Sequence, residues 1–288
     1  MPRSDRPRAP SWGAGQRSSR RLGRRERLSV VANEAIGPYV LVRVERGGLE
    51  PGIPGQFFML EAPGRLLPRP MSLCQAPPGE LAFLLEAVGP GTRALAGTQP
   101  GDELNVFGPL GNGYRLDVEQ PLLVGGGIGV APFPYLSEQL GGPPAILGFR
   151  TDWHAEAAAL VPNAEVVVEP TLVTEPLVGL VTGHKVLACG PEPMLEAVRA
   201  IAPDAQLAWE APMACGYGAC YGCSVEIDGV LQRLCVAGPV LQNGGTHGSP
   251  VGPLLHTSRE PAQARAPAGP SPAPPADDYA RAPGCAEK

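Results

Sequence analysis

The stretch LLVGGGIGVAP at residues 122–132 decides how this chain is read. An apolar run ends in Gly125, Gly126, Gly127 and Gly129, and a helical pattern follows with Pro132 in its first turn. A strand that feeds a helix through small residues leaves backbone N–H groups unpartnered at the helix start, which suits a dinucleotide phosphate. The spacing is not G-x-G-x-x-G, so taken alone the segment also fits an ordinary strand-to-helix turn. Its surroundings decide between the two.

Around it, apolar runs PAILGF (144–149), AEVVVE (164–169) and HKVLACG (184–190) alternate with helix-like stretches such as PEPMLEAVRAIA (191–202). That alternation predicts a parallel α/β sheet over 119–208. Cys189, Gly190 and Pro191 close the run HKVLACG. Gly190 lets a flat ring approach the backbone, whereas Met194, Leu195 and Val198 fall at helical spacing and read as core. Further upstream, short runs such as LSVVANEAI (28–36), GQFFMLEA (55–62) and LAFLLEAV (81–88) are broken by Gly and Pro, which predicts a small antiparallel barrel over 28–118.

Within that barrel, PRPMSLC (68–74) holds Arg69 between two prolines, so its guanidinium projects in a fixed direction and suits bidentate phosphate contact. Ser72, on the same strand, can donate to a flavin ring atom. An arginine on a strand is by default a solvated surface residue. The nearby VGPGTRAL (88–95) changes that weighing, because Gly91 and Thr92 open a short helix and provide a second anion-gripping element.

Beyond residue 208 the sequence CGYGACYGC (215–223) is followed by SVEIDGVLQRLCV (224–236), a hairpin turning at Asp228 and Gly229. Cys215, Cys220, Cys223 and Cys235 stand at C-x4-C-x2-C plus a fourth ligand, the plant-type 2Fe-2S spacing. Gly216, Gly218 and Gly222 are expected to give the loop the backbone freedom to wrap a cluster. Structural zinc normally shows two C-x2-C pairs, and only Cys220 and Cys223 form one. Disulfides fit poorly with a chain lacking a secretory signal. Cys74 reads as a small core residue and Cys285 as incidental; no histidine stands in a catalytic context. The cluster unit is placed at 209–242.

Composition bounds the rest. The chain has 288 residues, 38 Gly and 36 Pro, enough for two compact units with something smaller and many turns. Residues 1–27 carry nine arginines against Asp5 and Glu26, while the whole chain has a net charge of -5, so the remainder is acidic. The start reads as a disordered basic leader rather than a transit peptide or an RNA-binding arm, and residues 243–288, with GPSPAPPADD (269–278), as a disordered Pro/Gly/Ala-rich tail. No run approaches the ~18 apolar residues of a membrane span. The expectation is a cytoplasmic protein that binds neither nucleic acid nor membrane.

In the order RPMS, GPGT, GGGIGVAP, CGPEPM and MACGYGACYGC, the chain resembles the ferredoxin-NADP reductase superfamily, and within it the family of electron-transfer subunits of class 1B dihydroorotate dehydrogenases. The likeness covers roughly residues 28–242. It implies an FAD-binding antiparallel β-barrel, an α/β parallel-sheet nicotinamide domain and a small β 2Fe-2S domain at a subunit interface. FAD contacts would fall on Arg69, Pro70, Met71, Ser72, Leu84, Leu85, Glu86, Gly91 and Thr92. Glu86 departs from the basic residue usual there, so only its backbone is carried over as a contact.

The implied activity is hydride exchange between NAD and FAD, with single electrons passing through the cluster to or from an FMN-containing dihydroorotate dehydrogenase catalytic subunit, two copies of each forming a heterotetramer. In GFRTDWH (148–154), Arg150 and His154 could take a 2′-phosphate and Asp152 a ribose hydroxyl, which leaves NADP open beside NAD; the resemblance implies NAD. The nearest alternative is the small subunit of a flavin-based NADH and ferredoxin-dependent oxidoreductase or of a sulfide dehydrogenase, whose cluster loops commonly depart from four cysteines. A zinc-binding module without enzymatic activity is the alternative of another class.

Overall fold

The computed structural model describes residues 23–227 and 229–242, and backbone alone at Gln242. Most of the basic leader, the C-terminal tail, Asp228 and Cys285 lie outside the described residues.

Six strands build the first layer: β1 (Arg24–Ile36), β2 (Tyr39–Glu45), β3 (Phe57–Glu61), β4 (Arg69–Ser72), β5 (Glu80–Glu86) and β6 (Glu103–Leu110), with helix α1 (Pro90–Ala96) between the last two. Their order is β4-β3-β6-β1-β2-β5, antiparallel throughout. Just past β4, the Cys74 N–H donates to the Ala82 carbonyl at 2.8 Å and the Ala82 N–H to the Gln75 carbonyl at 2.9 Å. The sheet therefore curls into a nearly closed barrel. Alternation in β6 puts Leu104 and Val106 inside, and Phe58 meets Phe83 edge-on at 5.5 Å. Cys74 is fully buried, and that burial pushes its thiol up to about 12.

β1 begins at Arg24, inside the span read as leader. Arg24–Arg27 pair with Gly108–Asn105 of β6, and Arg25 and Arg27 meet Glu61 and Glu103. Charge at an exposed strand end hid this extension.

The second layer contains β7 (Pro121–Gly126), α2 (Phe133–Gln139), β8 (Ala145–Phe149), α3 (Asp152–Ala155), β9 (Ala164–Val168), α4 (Thr174–Leu180), β10 (Lys185–Cys189), α5 (Glu192–Ile201) and β11 (Gln206–Ala208). The last segment forms β12 (Ser224–Ile227), β13 (Val230–Arg233), α6 (Leu234–Ala237) and β14 (Val240–Gln242). Sheet order is β14-β11-β10-β7-β8-β9, parallel except for β14. β7, β8 and β10 are buried nearly end to end, as strands covered on both faces must be. β14, expected within the cluster unit, instead adds an edge strand to this sheet; three residues of edge strand give too short a pattern to read. β12 and β13 pair through Ile227 and Val230 across a two-residue turn, with Gly229 at a φ of +72°.

The barrel and the parallel sheet share one buried cluster in which Tyr39, Leu41 and Leu84 pack with Leu123, Phe133 and Leu147. Polar ties add to it. The Tyr114 hydroxyl donates to the Ala188 carbonyl at 2.9 Å, and fully buried Gln206 accepts the Arg115 N–H at 2.7 Å. The Tyr114 and Gln206 bonds fix the angle at which the two layers meet, and a cleft opens along their junction.

Candidate cofactor cleft and four-cysteine site

The barrel wall of that cleft is made by Pro70, Met71 and Ser72 of β4, Leu84, Leu85 and Glu86 of β5, and Thr92 of α1. Ile128, Ala131, Pro132 and Cys189 face it from the parallel sheet, and Trp209, Glu210 and Met213 close one side. Arg69 and Gly91, far apart in sequence, are brought into contact: a Cβ at Gly91 would stand 2.3 Å from Arg69 Nε. The guanidinium also donates to the Leu67 and Pro68 carbonyls at 3.1 and 3.2 Å. Thr92 Oγ1 accepts the Gly89 N–H at 3.0 Å and donates to the Gly89 carbonyl. Its hydroxyl therefore caps α1, leaving backbone N–H groups of the first turn, beside Arg69, to face an anion.

Arg69→Ala should weaken FAD retention far more than Cys235→Ser does, since a charge-assisted phosphate contact is worth about 1.5–3 kcal/mol, on the order of tenfold or more in affinity. Gly91→Ala should weaken it in the same direction by displacing the guanidinium. Unchanged flavin content in Arg69→Ala would contradict this assignment.

The glycine loop after β7 forms a 3-10 turn, Gly127–Val130, before α2, with Pro132 as the N-cap. Gly125 pairs with Cys189 across β7 and β10. A Cβ at Gly129 would lie 2.3 Å from the Cys189 carbonyl oxygen and 2.6 Å from Gly190 Cα, so the two loops touch backbone to backbone. Met194 packs against the core that holds the fully buried Leu195 and Val198, as its spacing predicts, and its Sδ and Cε also lie under Gly126 and Gly190. Pro191 is the N-cap of α5. Cys189 lines the cleft, and burial first, then the Glu210 charge, pushes its thiol well above the ordinary range.

Trp209 and Glu210, absent from the sequence reading, follow directly on β11 and so lie at the carboxyl end of a parallel strand, where α/β sites form. Glu210 is open to the cleft, yet the surrounding walls desolvate its carboxyl and raise its pKa. The signal was present only in a three-residue strand. His184 sits at the opposite end of the sheet, beside the start of β10.

The four cysteine sulfurs form two pairs. Cys215 and Cys220 Sγ are 3.3 Å apart, and Cys223 and Cys235 Sγ 3.2 Å. Cys223 and Cys235 are buried and Cys220 is exposed. Among the described residues no three ligating groups converge on a single-ion site. Gly216 and Gly218 take φ of +77° and +90°. Gly222 does not need the freedom expected of it: the left-handed residue there is Tyr221 at +58°, held under the Arg233 guanidinium at 4.5 Å, and Gly222 contributes an N–H to Cys220 Sγ at 3.5 Å. Arg233 also donates to the Gly218 carbonyl at 2.6 Å. Burial opposes ionisation of Cys215, but N–H groups of Cys220, Tyr217 and Ala219 together with the Cys220 thiol outweigh it and bring it down to about 6. Burial, then Cys223, pushes Cys235 up to about 12.

The loop rests on the barrel. Gly216 packs on Met59 and Leu110, Tyr217 meets Phe107 edge-on at 6.3 Å, and Asn112 Nδ2 donates to the Val236 and Ala237 carbonyls at the end of α6. Met213 lies in the cleft, whereas Tyr217 is 57% exposed.

Residues 210–244 match the family model described as the iron-sulfur cluster binding domain of dihydroorotate dehydrogenase B. The chain is 33% identical over 251 residues to the "Dihydroorotate dehydrogenase B (NAD(+)), electron transfer subunit" of Geobacillus sp. (strain WCH70), covering 77% of this chain and 98% of the relative. It is 35% identical over 253 residues to the protein of the same description from Geobacillus thermodenitrificans (strain NG80-2), covering 76% and 97%. The fold is similar to a solved NADH-dependent reduced ferredoxin-NADP oxidoreductase, with a TM-score of 0.65, 22% identity, and 75% of this chain and 88% of that one covered. It is also similar to phthalate dioxygenase reductase, with a TM-score of 0.54, 16% identity, and 62% and 64% covered.

Proposed function

Because this chain belongs to the family of electron transfer subunits of dihydroorotate dehydrogenase B, we propose that it relays electrons between a catalytic partner oxidising dihydroorotate and NAD. When bound, FAD and the cluster supply the redox chemistry, with FAD bridging two-electron and one-electron exchange. The residues do the placing. Arg69 and the first turn of α1 hold the flavin's phosphates, Ser72, Leu84, Leu85 and Glu86 wall its ring, and the Gly125–Gly129 loop with Cys189, Gly190 and Pro191 receives the nicotinamide dinucleotide. Glu210 keeps a carboxyl of raised pKa at the cleft.

The four cysteines fit a two-iron cluster through their pairing, since each iron takes two thiolates. A tetrahedral zinc ion would need all four on one centre. The observation that carries the reading is strand β3: Phe57 lines the cleft while Met59, two residues on, touches the cluster loop at Gly216. One strand thus backs both sites. The exposed face around Cys220, Tyr217 and Tyr221 is the side offered to an FMN-bearing catalytic subunit, in a heterotetramer with two copies of each. Among the described residues no helix is long and apolar enough to cross a membrane.

Purified protein should contain iron and acid-labile sulfide in near-equal amounts and give a rhombic paramagnetic signal on reduction. Stoichiometric zinc without sulfide would refute it.

A further inference from the structure

One short segment ties the barrel, the parallel sheet and the cysteine segment together. It lies between β6 and β7, and its side chains reach in different directions. Asn112 Nδ2 donates to the Val236 and Ala237 carbonyls at 3.2 and 2.8 Å, the two residues that follow Cys235. The Tyr114 N–H donates to the Pro54 carbonyl of the barrel at 2.8 Å, and its ring lies on Gly55, where a Cβ would stand 2.7 Å from Tyr114 Cδ2. Its hydroxyl then crosses to the Ala188 carbonyl at 2.9 Å, one residue before Cys189 of the cleft. Gln206 Oε1 accepts the Arg115 N–H at 2.7 Å, and Gln206 Nε2 donates back to the Arg115 carbonyl at 3.1 Å.

The relay proposed above, on which this inference rests, has two gaps to hold. NADH C4 gives a hydride to the flavin, a proton joins from solvent, and NAD leaves. The two electrons then pass singly to the oxidised cluster, and both protons return to solvent. The first gap is exacting, since reacting atoms misplaced by about 1 Å can cost on the order of a hundredfold. The second depends on the separation of two centres held by different parts of the fold.

We propose that residues 112–115 set these gaps separately: Tyr114 positions the nicotinamide wall at Cys189 and Gly190 against the barrel, and Asn112 positions the Cys235 end of the cluster site against the same barrel. Neither lines the cleft, so both are positioning residues. Tyr114 is suited to the task because it is nailed to the barrel through its backbone and ring, leaving the hydroxyl as the one group that spans the junction. Burial first, then the Cys189 charge, holds that hydroxyl well above the ordinary tyrosine range, so it stays a donor at working pH.

The test is single-turnover kinetics on the chain loaded with FAD and cluster. Tyr114→Phe keeps the ring and removes one hydrogen bond. It should lower the limiting rate of flavin reduction by NADH on the order of tenfold and weaken the charge-transfer absorbance of bound nicotinamide, while NADH half-saturation and flavin content hold. Gly55→Ala, which keeps the hydroxyl but presses on its ring, should slow the same step. Asn112→Ala should leave flavin reduction alone and slow passage from photoreduced flavin to the cluster severalfold, read from the paramagnetic signal after rapid freezing, with iron content unchanged. Phe58→Leu, a change in the barrel core, should lower the melting temperature and leave both rates at wild-type values. The proposal is overturned if Tyr114→Phe and Asn112→Ala slow the same step, if neither slows any, or if Phe58→Leu reproduces their losses. Loss of flavin from Tyr114→Phe would also overturn it, by placing that residue in the flavin's own site. A wild type whose flavin NADH does not reduce would instead strike at the function on which it rests.

Discussion

Gly129→Val is expected to abolish reduction of the bound flavin by NADH, with a loss on the order of a hundredfold or more, the scale attached to displacing reacting groups by about 1 Å. The added Cβ would sit 2.3 Å from the Cys189 carbonyl oxygen and 2.6 Å from Gly190 Cα. Both are backbone atoms at the end of β10, so no rotamer change relieves the clash and one loop must leave the other. Flavin retention should fall much less, because the grip proposed for Arg69 and Gly91 lies on the barrel side. Stopped-flow reduction of the flavin, with flavin content measured in parallel, separates the two. Wild-type reduction rates would show that the loop contact does not position the nicotinamide.

Cys235→Ser is expected to have as large an effect on a different step. Cys235 is buried, its N–H donates to Cys223 Sγ at 3.4 Å, and it sits in α6, which Asn112 ties to the barrel. Removing its thiolate breaks one of the two sulfur pairs. The variant should retain FAD and reduce artificial dyes with NADH, yet lose the paramagnetic signal and transfer to the partner should fall to background. A variant that keeps both the signal and the transfer would mean that the fourth ligand lies elsewhere.

What could be read from the sequence was local in character. The cysteine spacing, the glycine runs and the switch from closely spaced strands to strand–helix alternation each lie within one stretch of chain, and the last of these corresponds to the order of elements in the fold. What could not be read depends on distant partners. β14 becomes a strand because Gln206–Ala208 offer it an edge. Met194 packs on the core as its spacing predicts, but its further contacts with Gly126 and Gly190 depend on how β7 and β10 are brought together. Tyr221 carries the left-handed turn assigned to Gly222 because Arg233, twelve residues on, covers its ring. Glu210 follows a three-residue strand and has no motif of its own; its raised pKa arises from walls that exist only after folding.

The most direct test of the account is to co-express the chain with the catalytic subunit proposed as its partner and follow dihydroorotate oxidation and NAD reduction together. The account predicts that the isolated chain reduces artificial acceptors with NADH but leaves dihydroorotate untouched, and that the complex couples the two reactions. Dihydroorotate oxidation by the chain alone, or no coupling with any cognate catalytic subunit, would contradict it.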